Sequence, residues 1–199
     1  MPRSVPHRPM LAPLALLLAA STAACVAESP LTPERGTAPA LSAATASGAP
    51  RRRGPDLAGC EQLQAPAGSK VVAHQWAAGV QVYRWSGTAW QFVGPVATLY
   101  GDPAGRRQVG THYAGPTWEG RDGSTVRGSA PVPCAKRADA IPWLRLVGTP
   151  GATRGLFRRV TVIQRVNTTG GLSPATPGAV AGEEARVRYT AEYYFYRVR

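Results

Sequence analysis

Lysine is almost absent from this chain: only two of its 23 basic residues are lysine, although the formal net charge is +12. Alanine, glycine and proline are abundant, so the preference for arginine indicates a GC-rich genome rather than a surface selected to contact phosphates. The arginines are scattered, and no nucleic-acid-binding module is present. We therefore expect no nucleic acid among the partners.

Several motifs that mark common catalytic sites are also missing. No Gly-x-Gly-x-x-Gly opens a helix after a predicted strand, which excludes the phosphate cradle of a dinucleotide-binding fold. No Gly-x-Ser-x-Gly elbow surrounds Ser124, and the spacing of His74 and His112 matches no zinc motif. The sequence predicts neither a cofactor nor a metal ion.

The N-terminal segment has the layout of a secretory signal peptide. Arg3 and Arg8 precede an apolar run that begins at Leu11 and ends in small residues before Cys25. This run of about ten residues is too short to span a bilayer as a helix. Residues 22–25 resemble the bacterial lipobox, although that motif prefers leucine where Thr22 stands. We expect a signal peptide over residues 1–24 and an exported envelope lipoprotein, anchored in the membrane through Cys25.

Residues 25–59 are rich in proline, alanine, serine and threonine. Such a segment cannot bury enough surface to offset its ordering entropy, so it is predicted to be a flexible tether. A folded domain is then expected over residues 60–199. Within it, Cys60 and Cys134 form an even pair, which an oxidising compartment would favour as a disulfide. Two unpaired thiols are the alternative.

Short apolar or alternating runs, separated by turn residues, follow one another through the predicted domain. Runs over 70–76, 79–85 and 89–93 begin the series, and longer runs over 156–166 and 186–198 end it. Helical periodicity is absent apart from a candidate turn of helix at 136–140. The sequence therefore predicts a single all-β domain, an antiparallel sandwich or barrel, without discriminating between the two.

The last of these runs carries aromatic residues on both of its faces. Tyr193 and Phe195 share one face of the predicted strand, and Tyr194 and Tyr196 share the other. Both faces are therefore expected to be covered.

Five segments follow one another along the chain: GVQVYRW at Gly79, GTHYAGPTWEGRDGSTVRG at Gly110, AIPWL at Ala140, VTVIQRVNTTGG at Val160 and YTAEYYFY at Tyr189. In this order they resemble the domain-of-unknown-function family DUF3455, which is found in exported bacterial and fungal proteins. The likeness covers roughly residues 70–196. It implies a secreted β-rich domain without an established reaction, so no catalytic or binding residue is carried over from it. Many family members have cysteines near the positions of Trp85 and Gly178, which this chain lacks.

The densest group of polar and aromatic side chains lies between His112 and Asp122. His112 can act as a general base, Glu119 and Asp122 supply carboxylates, and Tyr113 and Trp118 can stack on a sugar or another planar ligand. Each residue type also has an ordinary alternative role: a histidine hydrogen-bonded between strands, a solvated glutamate or an aspartate that caps its own turn.

A second candidate group ends a predicted strand. Gln164, Arg165 and Asn167 can bind a carboxylate or hydroxyl groups, whereas Asn167 can equally begin a turn.

Together these features favour an exported, non-catalytic lipoprotein whose β-domain binds a small molecule or glycan through Tyr113, Trp118, Gln164 and Asn167. One alternative is a hydrolase that pairs His112 with Glu119 or Asp122. A structural or assembly factor of the cell envelope is the other. The sequence specifies neither the ligand nor the oligomeric state.

Overall fold

A computed structural model describes residues 53–198. The predicted signal peptide over 1–24, the lipid anchor at Cys25 and the tether as far as residue 52 lie outside the described residues. Eight strands form the domain, preceded by a short 3-10 helix at Glu61–Leu63. The strands are β1 Lys70–Trp85, β2 Trp90–Tyr100, β3 Gln108–Tyr113, β4 Thr117–Gly120, β5 Thr125–Cys134, β6 Trp143–Pro150, β7 Val162–Gly170 and β8 Glu184–Arg197.

The eight strands close into a barrel. Each strand pairs antiparallel with the next along the chain, and β8 pairs back with β1 from the register Lys70 opposite Arg197 to Arg84 opposite Glu184. The predicted all-β class is confirmed, and the choice that the sequence left open between sandwich and barrel is resolved as an up-and-down barrel. In residues 53–198, no helix has the length and apolar character of a membrane span.

β1 contains two runs that the sequence predicts as separate strands. β1 continues through residues 77–78, and its pairing with β2 shifts register between Val82 and Tyr83, opposite Gly94. A bulge of this kind bends a strand without ending it, so the barrel can curve while its ladder continues. The predicted helical turn at 136–140 is not present: this segment is an irregular connection that leads into β6.

The barrel interior is filled by side chains that alternate inward along the strands. Leu99, Trp118, Tyr193 and Phe195 are among its fully buried members. The connection between β6 and β7 adds Phe157, whose ring lies 4.7 Å from that of Phe195 between centroids. This connection therefore fills one end of the barrel with apolar side chains.

Residues 53–69, which we call the strap, lie across the outer surface of the barrel. Leu57, Leu63 and Ala65 of the strap pack on outward-facing Tyr194 and Tyr196 of β8. This contact confirms that both faces of the final strand are covered. Residues 54–59, which the sequence assigns to the tether, also belong to this packed segment.

A disulfide fastens the strap to the barrel. Cys60 is bonded to Cys134 at the end of β5, with a Cα–Cα distance of 5.9 Å. The predicted pairing is confirmed. Beside it, buried Gln164 of β7 donates from Nε2 to the carbonyl oxygen of Leu63 at 2.7 Å, and the Tyr196 hydroxyl donates to Gln164 Oε1.

Candidate functional site

A cavity of about 270 Å³ lies inside the barrel, towards the end opposite Phe157. All eight strands contribute to its wall, because each contributes inward-facing residues near this end. Phe92 forms part of the rim and is 57% exposed, so the cavity reaches the surface. The lining residues are Gln81, Phe92, Pro95, His112, Pro116, Trp118, Gly128, Ser129, Pro131, Leu144, Leu146, Arg165 and Tyr193.

One wall of the cavity is aromatic. His112 on β3 and Trp118 on β4 are paired in register, and their rings stack with centroids 4.2 Å apart and planes 10° apart. Tyr193 presents its ring edge-on to both, at 5.2 Å from His112 and 5.3 Å from Trp118. A glycine at position 128 makes room for the indole: a Cβ there would lie 3.0 Å from Trp118 Cζ3.

His112 is a neutral side chain in this wall. Burial lowers its pKa to about 3, since desolvation penalises the imidazolium; the Thr117 carbonyl opposes this shift, and the positive charge of Arg165 adds to it. His112 Nδ1 lies 2.8 Å from the Thr117 carbonyl oxygen. Because a carbonyl can only accept, Nδ1 carries the proton, and Nε2 is left as a hydrogen-bond acceptor.

Two buried polar atoms in the lining residues, Gln81 Nε2 and Trp118 Nε1, have no hydrogen-bond partner in the protein. The Tyr193 hydroxyl interacts with the side chains of Tyr189 and Arg165. Leaving a buried donor unpaired costs roughly 1–3 kcal/mol. Most buried polar groups in native proteins have a hydrogen-bond partner, so each exception requires an explanation. Two such donors lie in the wall of one hollow, which makes this cavity a candidate binding site.

Arg165 brings a positive charge to the same cavity. It lies on β7 between Leu144 and Tyr193 of the neighbouring strands, so its half-buried side chain is on the inner face of the sheet. Its Nη2 and Nε atoms donate to the Pro142 carbonyl oxygen at 2.8 and 3.2 Å. No aspartate or glutamate lines the cavity.

Several hollows are larger, and two of them, of about 560 and 490 Å³, are grooves on the outside of the barrel. The first lies between the strap and the barrel. Its buried polar side chains, Gln164 and Tyr196, are hydrogen-bonded to each other, and Gln164 also bonds to Leu63. The Ser69 hydroxyl in this groove is buried without a partner. The interior cavity is the stronger candidate, because it combines two unpartnered donors with an aromatic wall and a half-buried arginine.

The predicted hydrolytic group is not brought together. His112 faces the interior, whereas Glu119, next to Trp118 on β4, faces outward and accepts a 3.0 Å hydrogen bond from the Tyr113 hydroxyl. Asp122 lies in the β4–β5 turn, where it accepts hydrogen bonds from the Ser124 hydroxyl at 2.6 Å and the Leu156 amide at 2.7 Å. These contacts also lower its pKa, the Ser124 hydrogen bond most of all.

The four residues predicted to bind a ligand lie in different places. Trp118 is 1% exposed and lines the cavity, whereas Tyr113 is 39% exposed on the outer face. Gln164 is beneath the strap. Asn167 is exposed on the outer face with a φ of 50°, and its Nδ2 donates to Glu192 Oε1 at 3.0 Å.

The two histidines considered for a metal site lie on opposite sides of the sheet. His74 faces outward, where its Nε2 is 2.6 Å from Glu192 Oε2 and its ring stacks on Tyr194 at 3.9 Å between centroids. Among residues 53–198, no three His, Cys, Asp or Glu side chains are grouped so that they could hold a metal ion.

Sequence reasoning missed Gln81 as a site residue and did not connect Arg165 or Tyr193 with His112 and Trp118. The alternation within each strand was the available signal, since Gln81 shares its face with the small inward residues Ala73 and Ala77. A buried glutamine requires hydrogen-bond partners, so a glutamine on the core face of a predicted strand is a candidate site residue.

The fold and the cavity define a class: a small up-and-down β-barrel with an interior large enough for one small ligand. Residues 66–197, more than half of the chain, match the family described as "Protein of unknown function (DUF3455)", and the chain belongs to this family. No match was found among curated proteins or among solved structures.

Proposed function

We propose that this protein is a binding protein that holds one small molecule in the interior cavity. The observation that carries the proposal is the unpartnered state of Gln81 Nε2 and Trp118 Nε1 around an open space. A ligand that pairs with these groups would offset a cost of roughly 1–3 kcal/mol for each of them.

The size of the cavity limits the ligand. Its volume of about 270 Å³ falls below the roughly 300–1,000 Å³ that accommodates drug-sized molecules. Prolines, leucines and aromatic rings form most of the lining, so the ligand has a compact, apolar body. Of the two aromatic side chains expected to stack on a glycan, only Tyr113 has an exposed ring. A long oligosaccharide is therefore a weaker candidate than a single-ring compound.

Binding without catalysis accounts for the state of His112. Its proton is held on Nδ1 by the Thr117 carbonyl, and its pKa of about 3 makes it a poor base near neutral pH. Glu119 and Asp122 make their contacts elsewhere. No acid within the described residues is placed to orient this imidazole.

We extend the proposal to the place of action: an exported protein tethered to the membrane through Cys25. The disulfide between Cys60 and Cys134 supports it, because such bonds persist in oxidising compartments. A tether would let the barrel present its cavity to molecules outside the cell.

The binding proposal is tested by following the five tryptophan indole N–H signals by proton–nitrogen NMR. The protein, purified with its disulfide intact, is titrated with benzamide, benzoate and their naphthalene analogues. The Trp118 signal, assigned with Trp118→Phe, is expected to shift saturably. Trp76 lines an outer groove and is the internal control. If no probe moves the Trp118 signal, the proposal is wrong.

A further inference from the structure

We propose that the ligand is an organic anion: a compact apolar or aromatic body that carries a carboxylate, which Arg165 receives. This inference rests on the proposed function, since it names the chemical class of the molecule in the same cavity. It is carried by the charge and the hydrogen-bonding capacity of the lining.

Arg165 is a cation without a counter-ion. No carboxylate of residues 53–198 lies within ion-pair distance of it; its side chain donates to the Pro142 carbonyl and also interacts with the Tyr193 hydroxyl. A guanidinium carries five N–H donors in a planar fork that matches a carboxylate. Two of its nitrogen atoms converge on Pro142, so donors remain for a ligand.

The charge of Arg165 acts on the interior rather than on the solvent. It opposes the burial-driven rise in the pKa of Tyr83, Tyr189 and Tyr193 and adds to the fall in the pKa of His112. His112 stays neutral near pH 7, and the lining contains no acid. The cavity is therefore positive, and a cationic ligand would meet repulsion there.

The unpartnered atoms indicate the same class of ligand. The Gln81 amide nitrogen and the Trp118 indole nitrogen can only donate hydrogen bonds. A ligand rich in donors would leave these groups unpaired, whereas carboxylate oxygens accept several hydrogen bonds at once. Charge-assisted hydrogen bonds of this kind are about twice as strong as neutral ones.

A carboxylate fits this arrangement better than a phosphate. The described cavity offers one arginine within an otherwise apolar and aromatic wall, and phosphate carries more charge than one cation balances. A single carboxylate on a flat ring would place its charge at Arg165 and its ring among Trp118, Leu144 and Leu146. An aromatic monocarboxylate is the simplest molecule of this class.

Two probes of nearly identical shape separate the anion from its neutral counterpart: benzoate and benzamide. Affinities are measured by NMR for the wild type, Arg165→Met and Arg145→Met. Arg145 is the matched control, because it is half-buried on the adjacent β6, faces outward and also donates to a carbonyl, that of Gln62 at 3.4 Å. The wild type is expected to bind benzoate roughly 10- to 100-fold more tightly than benzamide.

Arg165→Met is expected to remove this preference, whereas Arg145→Met is expected to keep it. Arg165→Lys retains a cation and is expected to keep part of the preference. Should Arg165→Met fail to fold, the wild-type ratio of the two affinities still decides the matter. Equal affinities of the wild type for both probes would overturn the anion assignment and leave the cavity as a binding site. Absence of binding by both would overturn this inference and the proposed function together.

Discussion

His112 and Trp118 form a stacked pair that depends on small neighbours. The indole lies over Gly128, where the absence of a side chain leaves room both for the ring and for the cavity beside it. A larger residue at this position would occupy space that a ligand needs. The size of the cavity therefore depends on Gly128, a residue without a side chain.

Gly128→Ala is expected to weaken the binding of naphthoate by roughly 5- to 10-fold and that of benzoate by less. The added Cβ would lie 2.9 Å from Leu146 Cδ2 and 3.0 Å from Trp118 Cζ3, so these side chains must shift towards the cavity or away from it. Val147→Ile, which adds one carbon to the outer face of β6, is the control and should bind both probes like the wild type. An equal loss of affinity for both probes, or no loss for either, would show that Gly128 does not determine the size of the cavity.

The lowered pKa of His112 in the folded protein makes the free energy of unfolding depend on pH. The folded-state pKa of His112 is about 3 and its ordinary value 6.5, so the unfolded chain binds the additional proton between these limits. Stability is expected to fall as pH decreases below 6.5, by at most about 1.4 kcal/mol per pH unit from this group. Tyr193 and Arg165, which face the ring, do not change charge over this range.

Urea unfolding at pH 7 and pH 5 measures this effect. The His112→Phe variant keeps an aromatic ring and removes the titration, so its stability should decrease less than that of the wild type over the same interval. Carboxylates such as Asp122 contribute to both proteins and cancel in the comparison. An equal decrease in both would show that His112 is not held neutral in the folded barrel.

The sequence predicts which side chains are candidates for the site better than it predicts which other side chains they contact. His112, Trp118 and Arg165 were all recognised as candidates, but the first two were grouped with Glu119 and Asp122. Adjacent residues on a strand point to opposite faces, so Glu119 lies on the far side of the sheet from Trp118. Which strands meet across the barrel depends on closure, which a single sequence does not reveal.

The final strand, β8, contributes side chains to both hydrophobic clusters of the domain, one inside the barrel and one beneath the strap. Its inward aromatic residues belong to the barrel interior, and its outward ones carry the strap. The strap needs this apolar platform because it has little regular structure of its own. A disulfide at Cys60 then holds it against the end of β5.

Replacing both cysteines, Cys60→Ala with Cys134→Ala, is expected to lower the free energy of unfolding by roughly 2–4 kcal/mol. The bond closes a loop with a sequence separation of 74, and opening it restores conformational entropy to the unfolded chain. Denaturant unfolding of the two proteins gives the difference. Because the cavity is built from strands rather than from the strap, benzoate binding should be unchanged. A variant that is stable but no longer binds would contradict this separation.

The sequence predicted most strands but set some of their limits wrongly. The sequence predicts two strands separated at Ala77 and Ala78, because apolar and polar residues do not alternate there. In the barrel, β1 continues through these two residues as one strand. β6 was missed, because Ile141 and Pro142 precede it and proline removes a backbone donor. The run over 156–166 combines a connection with the start of β7: its first half is apolar because Phe157 and Val160 fill the barrel end.

The loop between β7 and β8 packs closely on the end of β1: a Cβ at Gly178 would lie 2.6 Å from Trp85 Cγ. Trp90 Nε1 donates to the Thr176 carbonyl oxygen at 2.9 Å, and the Gly182 amide donates to the Trp85 carbonyl oxygen at 2.8 Å. This loop is therefore held by packing and hydrogen bonds, whereas the disulfide fastens the strap.

For the molecule as a whole, the proposed export and anchoring depend on the segment before the barrel. Mass spectrometry of the mature N-terminus tests them: we expect residues 1–24 to be removed and Cys25 to carry lipid. Cys25→Ala is expected to release the protein from the membrane without changing the barrel's affinity for benzoate. An unmodified cysteine at the mature terminus would contradict the anchor, and a retained leader would contradict export.

A crystal structure of the protein with benzoate would show whether the barrel holds a small ligand in its interior. We expect the ring inside the barrel against Trp118 and the carboxylate within hydrogen-bonding distance of Arg165. Benzoate bound only in the groove between the strap and the barrel, beside Tyr196, would contradict this expectation.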